Sequence, residues 1–202
     1  MAKIPAKKFL SMVVIITSVT LFLYIIWRAM FYAPSDEVPL PETALAQTAG
    51  MAAGASSPAK LTIPKIKLDA KVLPVGITKK GNMATPGNFS DVGWYKYGKT
   101  PGEIGSAVIA GHVDNGLALP AVFFNLKNMT KGDDIYLTDQ NNKTMHFVVT
   151  KTEVYDFDSN AEEVFTDESG RLLKLITCTG VWLKQYRTHD KRLVVSAELA
   201  ES

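Results

Sequence analysis

Nineteen consecutive residues, Phe9 to Trp27, carry no charge and are rich in Val, Ile, Leu and Phe. As a helix rising about 1.5 Å per residue, this run matches the hydrocarbon thickness of a bilayer. It is apolar on every side, so it lacks the polar face a surface helix turns to water. It exceeds the apolar part of a usual signal peptide, and the one cleavage-like triplet, Ala44-Leu45-Ala46, lies well past its end. The expectation is an uncleaved transmembrane signal anchor over 9–28. Lys3, Lys7 and Lys8 precede the run and Arg28 follows it. The positive-inside rule then sets residues 1–8 in the cytoplasm and the chain after Arg28 outside.

Residues 33–59 are rich in Ala, Pro, Gly and Ser, with Asp36, Glu37 and Glu42 as their only charges. That composition predicts a flexible extracytoplasmic linker over 29–59, spanning on the order of 30 Å as a coil. The remaining stretch, 60–202, holds 18 of the 22 bases and 17 of the 20 acids. So even a balance lacks the basic footprint of a nucleic-acid binder. Its length suits one domain with a real core.

Within 60–202, short runs rich in β-branched residues alternate with turn formers. Leu61–Ile63, Ala107–Ala110, Asp134–Thr138, Met145–Thr150, Leu172–Thr177 and Leu193–Ala197 read as strands. Pro86-Gly87, Pro101-Gly102, Lys131-Gly132 and Asn141-Asn142 read as breaks between them. In the last strand Leu193, Val195, Ala197 and Leu199 share one face. Helical patterns are short, at Ala121–Leu126 and around Ala161–Phe165. The fold class expected is mostly β, a closed or nearly closed barrel with a few short helices, with a β-sandwich as the competing architecture.

Cys178 is the only cysteine, so the chain forms no internal disulfide and no multi-cysteine metal site. A free cysteine is commonly a small buried hydrophobe. This one directly follows an apolar strand and precedes Thr179-Gly180, a position where a side chain meets solvent and substrate. A reactive thiol needs a base or a cation beside it. His112, after a strand and next to Gly111, is one candidate; His146 sits within an alternating strand and His189 in the polar stretch Tyr186–Lys191. Acyl transfer also needs a donor for the developing oxyanion, and an arginine fork supplies one. Arg171, Arg187 and Arg192 are the arginines near the cysteine strand.

The order His, Cys, Arg, each near a strand end, resembles the sortases, cysteine transpeptidases of the Gram-positive cell surface. Leu61-Thr-Ile-Pro-Lys-Ile66 is similar to the family's opening strand. Val92-Gly-Trp-Tyr95, Pro101-Gly102 and Ala107-Val-Ile-Ala-Gly-His-Val-Asp114 resemble the histidine region of class F members in particular. Leu175-Ile-Thr-Cys178 resembles the cysteine motif, and Lys191-Arg-Leu-Val-Val195 the arginine strand. Two stretches depart from the pattern: Lys174 stands where the motif usually has Thr, and Asp114–Pro120 matches less well.

The resemblance implies an eight-stranded β-barrel for 60–202. It implies Cys178 as nucleophile, His112 as general acid/base and Arg192 as the group that orients substrate and stabilises the oxyanion. Thr177 is implied as a contact to the substrate backbone. The implied reaction cleaves an LPXTG-like C-terminal sorting signal through a thioacyl enzyme and passes the protein to an amine, from a cell-wall precursor or a pilin lysine. The loop before the cysteine strand, about Asp156 to Gly170, shapes the peptide groove in the family. Here it offers Phe157, Ala161, Val164 and Phe165, with Phe165 assigned to the core and Ala161 and Val164 to substrate binding. Some sortases bind calcium, and Asp156, Asp158, Glu162 and Glu163 could supply oxygens, although a solvated acidic loop is the plainer reading. No other cofactor is expected. Papain-like enzymes place Cys before His, and L,D-transpeptidases carry a compact Ser-His-Gly-Cys block; neither arrangement occurs here. The non-enzymatic alternative is a membrane-tethered β-domain that binds a cell-surface partner, with Cys178 inert.

Overall fold

The computed structural model describes residues 5–34, 37–38 and 56–200. Helix α1, Ala6–Phe31, contains the apolar run and is long and apolar enough to cross a membrane. From Lys7 onward its side chains are exposed except at one stripe near the C-terminal end, where Ile26, Ala29 and Met30 are partly covered. The cleavage-like triplet and most of the Ala/Pro/Gly/Ser stretch lie outside the described residues. The described parts of that stretch are docked on the domain. Ala33 is buried and its N–H donates to the Gly87 carbonyl at 3.0 Å. Glu37–Val38 pairs antiparallel with Ile77–Thr78.

Eight further strands close a barrel. They are β1 Pro58–Ile63, β2 Leu68–Val75, β3 Val92–Tyr95, β4 Gly105–Ala110, β5 Asp134–Asp139, β6 Thr144–Asp156, β7 Arg171–Leu183 and β8 Thr188–Leu199. Around the barrel the order is β8-β6-β5-β1-β2-β3-β4-β7, and β7 returns to β8. The barrel reading therefore holds and the sandwich does not. Two neighbouring pairs are parallel, β2 with β3 and β4 with β7; the others are antiparallel.

Alternation fixes which side chains turn inward. Leu173, Leu175, Leu193, Val195 and Ala197 join Leu61, Ile135 and Phe147 in one buried cluster. The expected inward face of the last strand is thus observed, with Leu199 packed at its margin. Fully burying one such aliphatic side chain is worth about 1.5–3 kcal/mol. The residues between them, Lys174, Ile176, Cys178, Arg192 and Val194, face outward by the same period of two.

Three long connections run over the outside of the barrel: 76–91, 111–133 and 157–170. The second contains a 3-10 helix, Phe124–Asn128, and the third a one-turn helix, α2 Glu163–Thr166. Both fall close to the short helices expected from the sequence. The turn signals also hold where a left-handed residue is required, with φ of 62° at Asn142 and 92° at Gly132.

Candidate active site

Two strand pairings assemble the site on the outer wall of the barrel. In the antiparallel β7–β8 ladder Arg192 is the direct cross-strand partner of Cys178. Directly opposed residues on one face lie about 5 Å apart at Cβ, so sulfur and guanidinium share a patch of surface. In the parallel β4–β7 ladder Ala110 pairs with Ile176. Carried two residues further, the same offset sets His112 beside Cys178.

Gly111 enforces that placement. Its N–H donates to the Ile176 carbonyl at 3.1 Å, and its carbonyl accepts from the Thr177 hydroxyl at 2.8 Å. The backbone before His112 is thereby tied to the two residues before Cys178. A Cβ at position 111 would lie 2.6 Å from the Phe123 ring, so only glycine lets the loop pass this close to the buried ring.

Cys178, His112 and Arg192 all line a groove of about 640 Å³. Its walls come from the long connections: Met83 and Thr85 from the first, Gly111 and His112 from the second, Phe157, Ala161, Val164 and Phe165 from the third. Ala161 and Val164 both line the groove, Val164 as a buried side chain. Phe165 does not belong to the core as expected. It is 38% exposed and sits edge-on to Tyr95 with ring centroids 5.8 Å apart. Thr177 is buried, with its hydroxyl engaged by Gly111.

The electrostatics favour the neutral forms of thiol and imidazole. Burial pushes the Cys178 thiol above its usual 9.0. The Arg192 charge opposes that rise, Asp114 adds to it, and a hydrogen bond from Thr188 opposes it. Burial also pulls His112 below its usual 6.5, against a hydrogen bond to Pro86 and the nearby Asp114 carboxylate. The His112 Nε2 lies 3.0 Å from the Pro86 carbonyl. A carbonyl only accepts, so Nε2 carries the hydrogen and Nδ1 of the neutral ring keeps its lone pair. The Phe89 ring holds the imidazole edge-on at 5.1 Å.

Arg192 is braced from its own strand. Nη1 donates to the carbonyls of His189 and Lys191, both at 2.9 Å, and Nη2 donates to the Thr188 hydroxyl at 2.8 Å. Thr188 also lowers the pKa of the Cys178 thiol. A guanidinium has five N–H donors. Two of them, on Nε and Nη2, have no protein partner among the described residues, which leaves a fork for a carbonyl oxygen. Thr188 and Asp114 were not singled out from the sequence. Thr188 precedes the arginine by four residues, and its role depends on the strand reversal between them and β7.

The other two histidines stand apart from this chemistry in different ways. His146 pairs with Asp134 at 2.7 Å and stacks on Tyr136. His189 is not the solvated loop residue its polar neighbourhood suggested. It lies in β8, only 9% exposed, 3.3 Å from Asp114 and edge-on to Trp182. Arg187 sits in the turn at φ 52°, and the exposed Arg171 begins the cysteine strand at its opposite end. Among the described residues no three His, Cys, Asp or Glu come together as a metal-binding set, and Asp156 is engaged by Lys191.

The family model of the sortase domain matches residues 61–200. Among solved structures, the chain is similar to sortase C-1 from Actinomyces oris, with a TM-score of 0.61 and 21% identity, covering 83% of this chain and 84% of that one. It is also similar to sortase A from Corynebacterium diphtheriae, with a TM-score of 0.56 and 24% identity, covering 74% of this chain and 63% of that one. Sortase A from Listeria monocytogenes gives 0.53 and 21%, covering 73% and 88%. At these identities the likeness speaks for the barrel and not for a subclass. No curated protein matches the sequence.

Proposed function

Because the chain belongs to the sortase family, the cysteine transpeptidases of the cell envelope, we propose that it cleaves LPXTG-like C-terminal sorting signals and transfers the released protein to an amine. Cys178 is the nucleophile, His112 the acid/base and Arg192 the oxyanion donor. The observation that carries this reading is the convergence of all three side chains on one groove, with Arg192 directly across the ladder from Cys178.

The Nδ1 lone pair of His112 takes the thiol proton. The sulfur adds to the Thr–Gly carbonyl, and the developing oxyanion accepts hydrogen bonds from the two free Arg192 N–H groups. The C–N bond then breaks as Nδ1–H protonates the departing glycine amine. The thioester keeps the acyl group activated for a second amine, from a cell-wall precursor or a pilin lysine, whose proton leaves by the same imidazole as the sulfur regains its own. Ala161, Val164 and Thr177 contact the peptide. Helix α1 spans the membrane with the N-terminus in the cytoplasm and the barrel outside, where such signals arrive.

The test is cleavage of a labelled LPXTG-type peptide by the full chain, with a methanethiosulfonate analogue of the same peptide as a trap. Cys178→Ala abolishes turnover and the adduct. Arg192→Ala lowers kcat/KM by about 10²–10³, as for loss of an oxyanion donor, while Arg187→Ala has little effect. Equal losses for the two arginines, or turnover without Cys178, overturn the assignment.

A further inference from the structure

We propose that the hairpin tip Asn115–Leu119, three residues beyond His112, is a second membrane contact whose Leu117 and Leu119 enter the outer interfacial layer beside the end of α1. The inference rests on the reading that α1 spans the bilayer.

The tip combines exposed apolar side chains with a backbone whose N–H groups are mostly satisfied. Leu117 and Leu119 are 45% and 46% exposed. Asp114 and Pro120 bridge at the base of the hairpin. The Asn115 N–H donates to the Leu119 carbonyl and the Ala118 N–H to the Asn115 carbonyl, both at 2.9 Å. The Asn115 side-chain oxygen accepts from the N–H groups of Leu117 and Leu119, at 2.9 and 3.0 Å. Four of the tip's amide N–H groups therefore need no water, which lowers the cost of leaving bulk water for the hydrated interfacial layer. No charge occurs between Asn115 and Leu126.

The occupant follows from where the tip sits. A Cβ on Gly116 would lie 3.0 Å from the Ala29 carbonyl oxygen. Ala29 is two residues past the apolar run, about 3 Å along the helix axis. The partly covered stripe Ile26, Ala29 and Met30 lies at the same level of α1. Trp27, Phe31 and Tyr32 are exposed there, with Arg28 over the Tyr32 ring at 5.0 Å, the composition of a membrane–water interface.

The segment beyond α1 is also pinned to the domain. The Ala33 N–H donates to Gly87, next to the Pro86 that holds His112. Glu37 accepts from the Gly76 amide at 2.8 Å and pairs with Lys96 at 3.0 Å. The anchor therefore fixes which side of the barrel meets the lipid, and that side carries the tip. A lipid surface explains both leucines; a protein partner would have to fit beside α1 at headgroup depth.

The experiment uses the full chain in nanodiscs, with Cys178→Ala removing the native thiol. Single cysteines replace Leu117, Leu119, Ile16 in α1, or Asn141 in the turn between β5 and β6, and each carries an environment-sensitive dye. Labels at 117 and 119 are expected to be quenched about twofold or more by nitroxide lipids and shielded from aqueous iodide, as for a side chain in the interface. The label at 16 is quenched by acyl-chain nitroxide, and the label at 141 is open to iodide. If 16 is quenched while 117 and 119 are open to iodide, the tip is aqueous and the inference fails with the anchor intact. If 16 is open to iodide, the anchor reading fails and takes the inference with it. Shielding of 117 and 119 without quenching by lipid nitroxides assigns the tip to a protein surface and overturns the lipid contact.

Discussion

The Thr188 hydroxyl accepts from Arg192 at 2.8 Å, and Thr188 also favours the ionised form of Cys178. The signs of the perturbations give an ordered expectation. Burial raises the thiol above 9.0, while Arg192 and Thr188 lower it and Asp114 raises it. Arg192→Ala and Thr188→Val should move the pH midpoint of Cys178 alkylation by iodoacetamide upward. Asp114→Asn should move it downward. A midpoint left unchanged by Arg192→Ala would show that the guanidinium does not sense the sulfur. His112 is held below 6.5, so at neutral pH the thiol–imidazole pair predominates over thiolate–imidazolium. At this scale residue type and order along the chain were legible for Cys178, His112 and Arg192, but the strand-end reading holds only for His112, two residues past β4. Cys178 and Arg192 lie inside β7 and β8, whose ladder continues beyond them to Leu183 and Thr188. The sequence misled for His189, because the groups that cover it, Asp114 and Trp182, come from other segments. No local pattern announces such cover.

Among the elements, α2 and the turn after it form the wall facing the cysteine strand, and a buried lysine secures them. Lys174, at the position where the motif usually has Thr, is 4% exposed and reaches Asp167 at 3.1 Å. The Asp167 carbonyl also accepts from Ser106 of β4 at 3.0 Å. The hydroxyl and amide of Ser169, and then Lys174, hold the Asp167 carboxyl down at about 2, against partial desolvation. A depressed carboxylate stabilises the fold above its unfolded pKa near 3.8 and loses that contribution as pH falls toward 2. Lys174→Ala is expected to cost about 1–2 kcal/mol at pH 7, a partly buried pair losing one partner. Urea unfolding should show the gap to wild type closing between pH 4 and pH 2; a gap independent of pH would place the cost in packing alone. Strand identity was readable from β-branched runs, but strand length was not. β6 and β7 continue to Asp156 and Leu183, well past the apolar stretches read from sequence. Their polar ends are held extended by pairing with β8, a long-range partner that a local window does not contain.

For the whole molecule, barrel closure creates the groove. Parallel neighbours cannot be joined by a tight hairpin, so β2 reaches β3, and β4 reaches its neighbour β7, only through chain that travels over the outside. These excursions become the walls, and the outer faces of β7 and β8 become the floor. The sequence supplied the barrel, the order of the reactive residues and the apolar helix. It did not show the docking of Ala33 and Glu37 onto the domain, because the residues they meet lie about 40 positions or more further along the chain.

The floor of the groove has a temporal consequence. Sulfur and guanidinium sit on the final hairpin, which must slot between β4 and β6 before the cylinder is complete. A chain whose final hairpin has not yet docked thus carries a thiol with no imidazole beside it, so synthesis and competence are separated in time. In refolding from urea, capture of a peptide thiosulfonate by Cys178 should rise at the rate of the barrel's tryptophan signal. Capture preceding that signal would mean the warhead is armed before its housing exists.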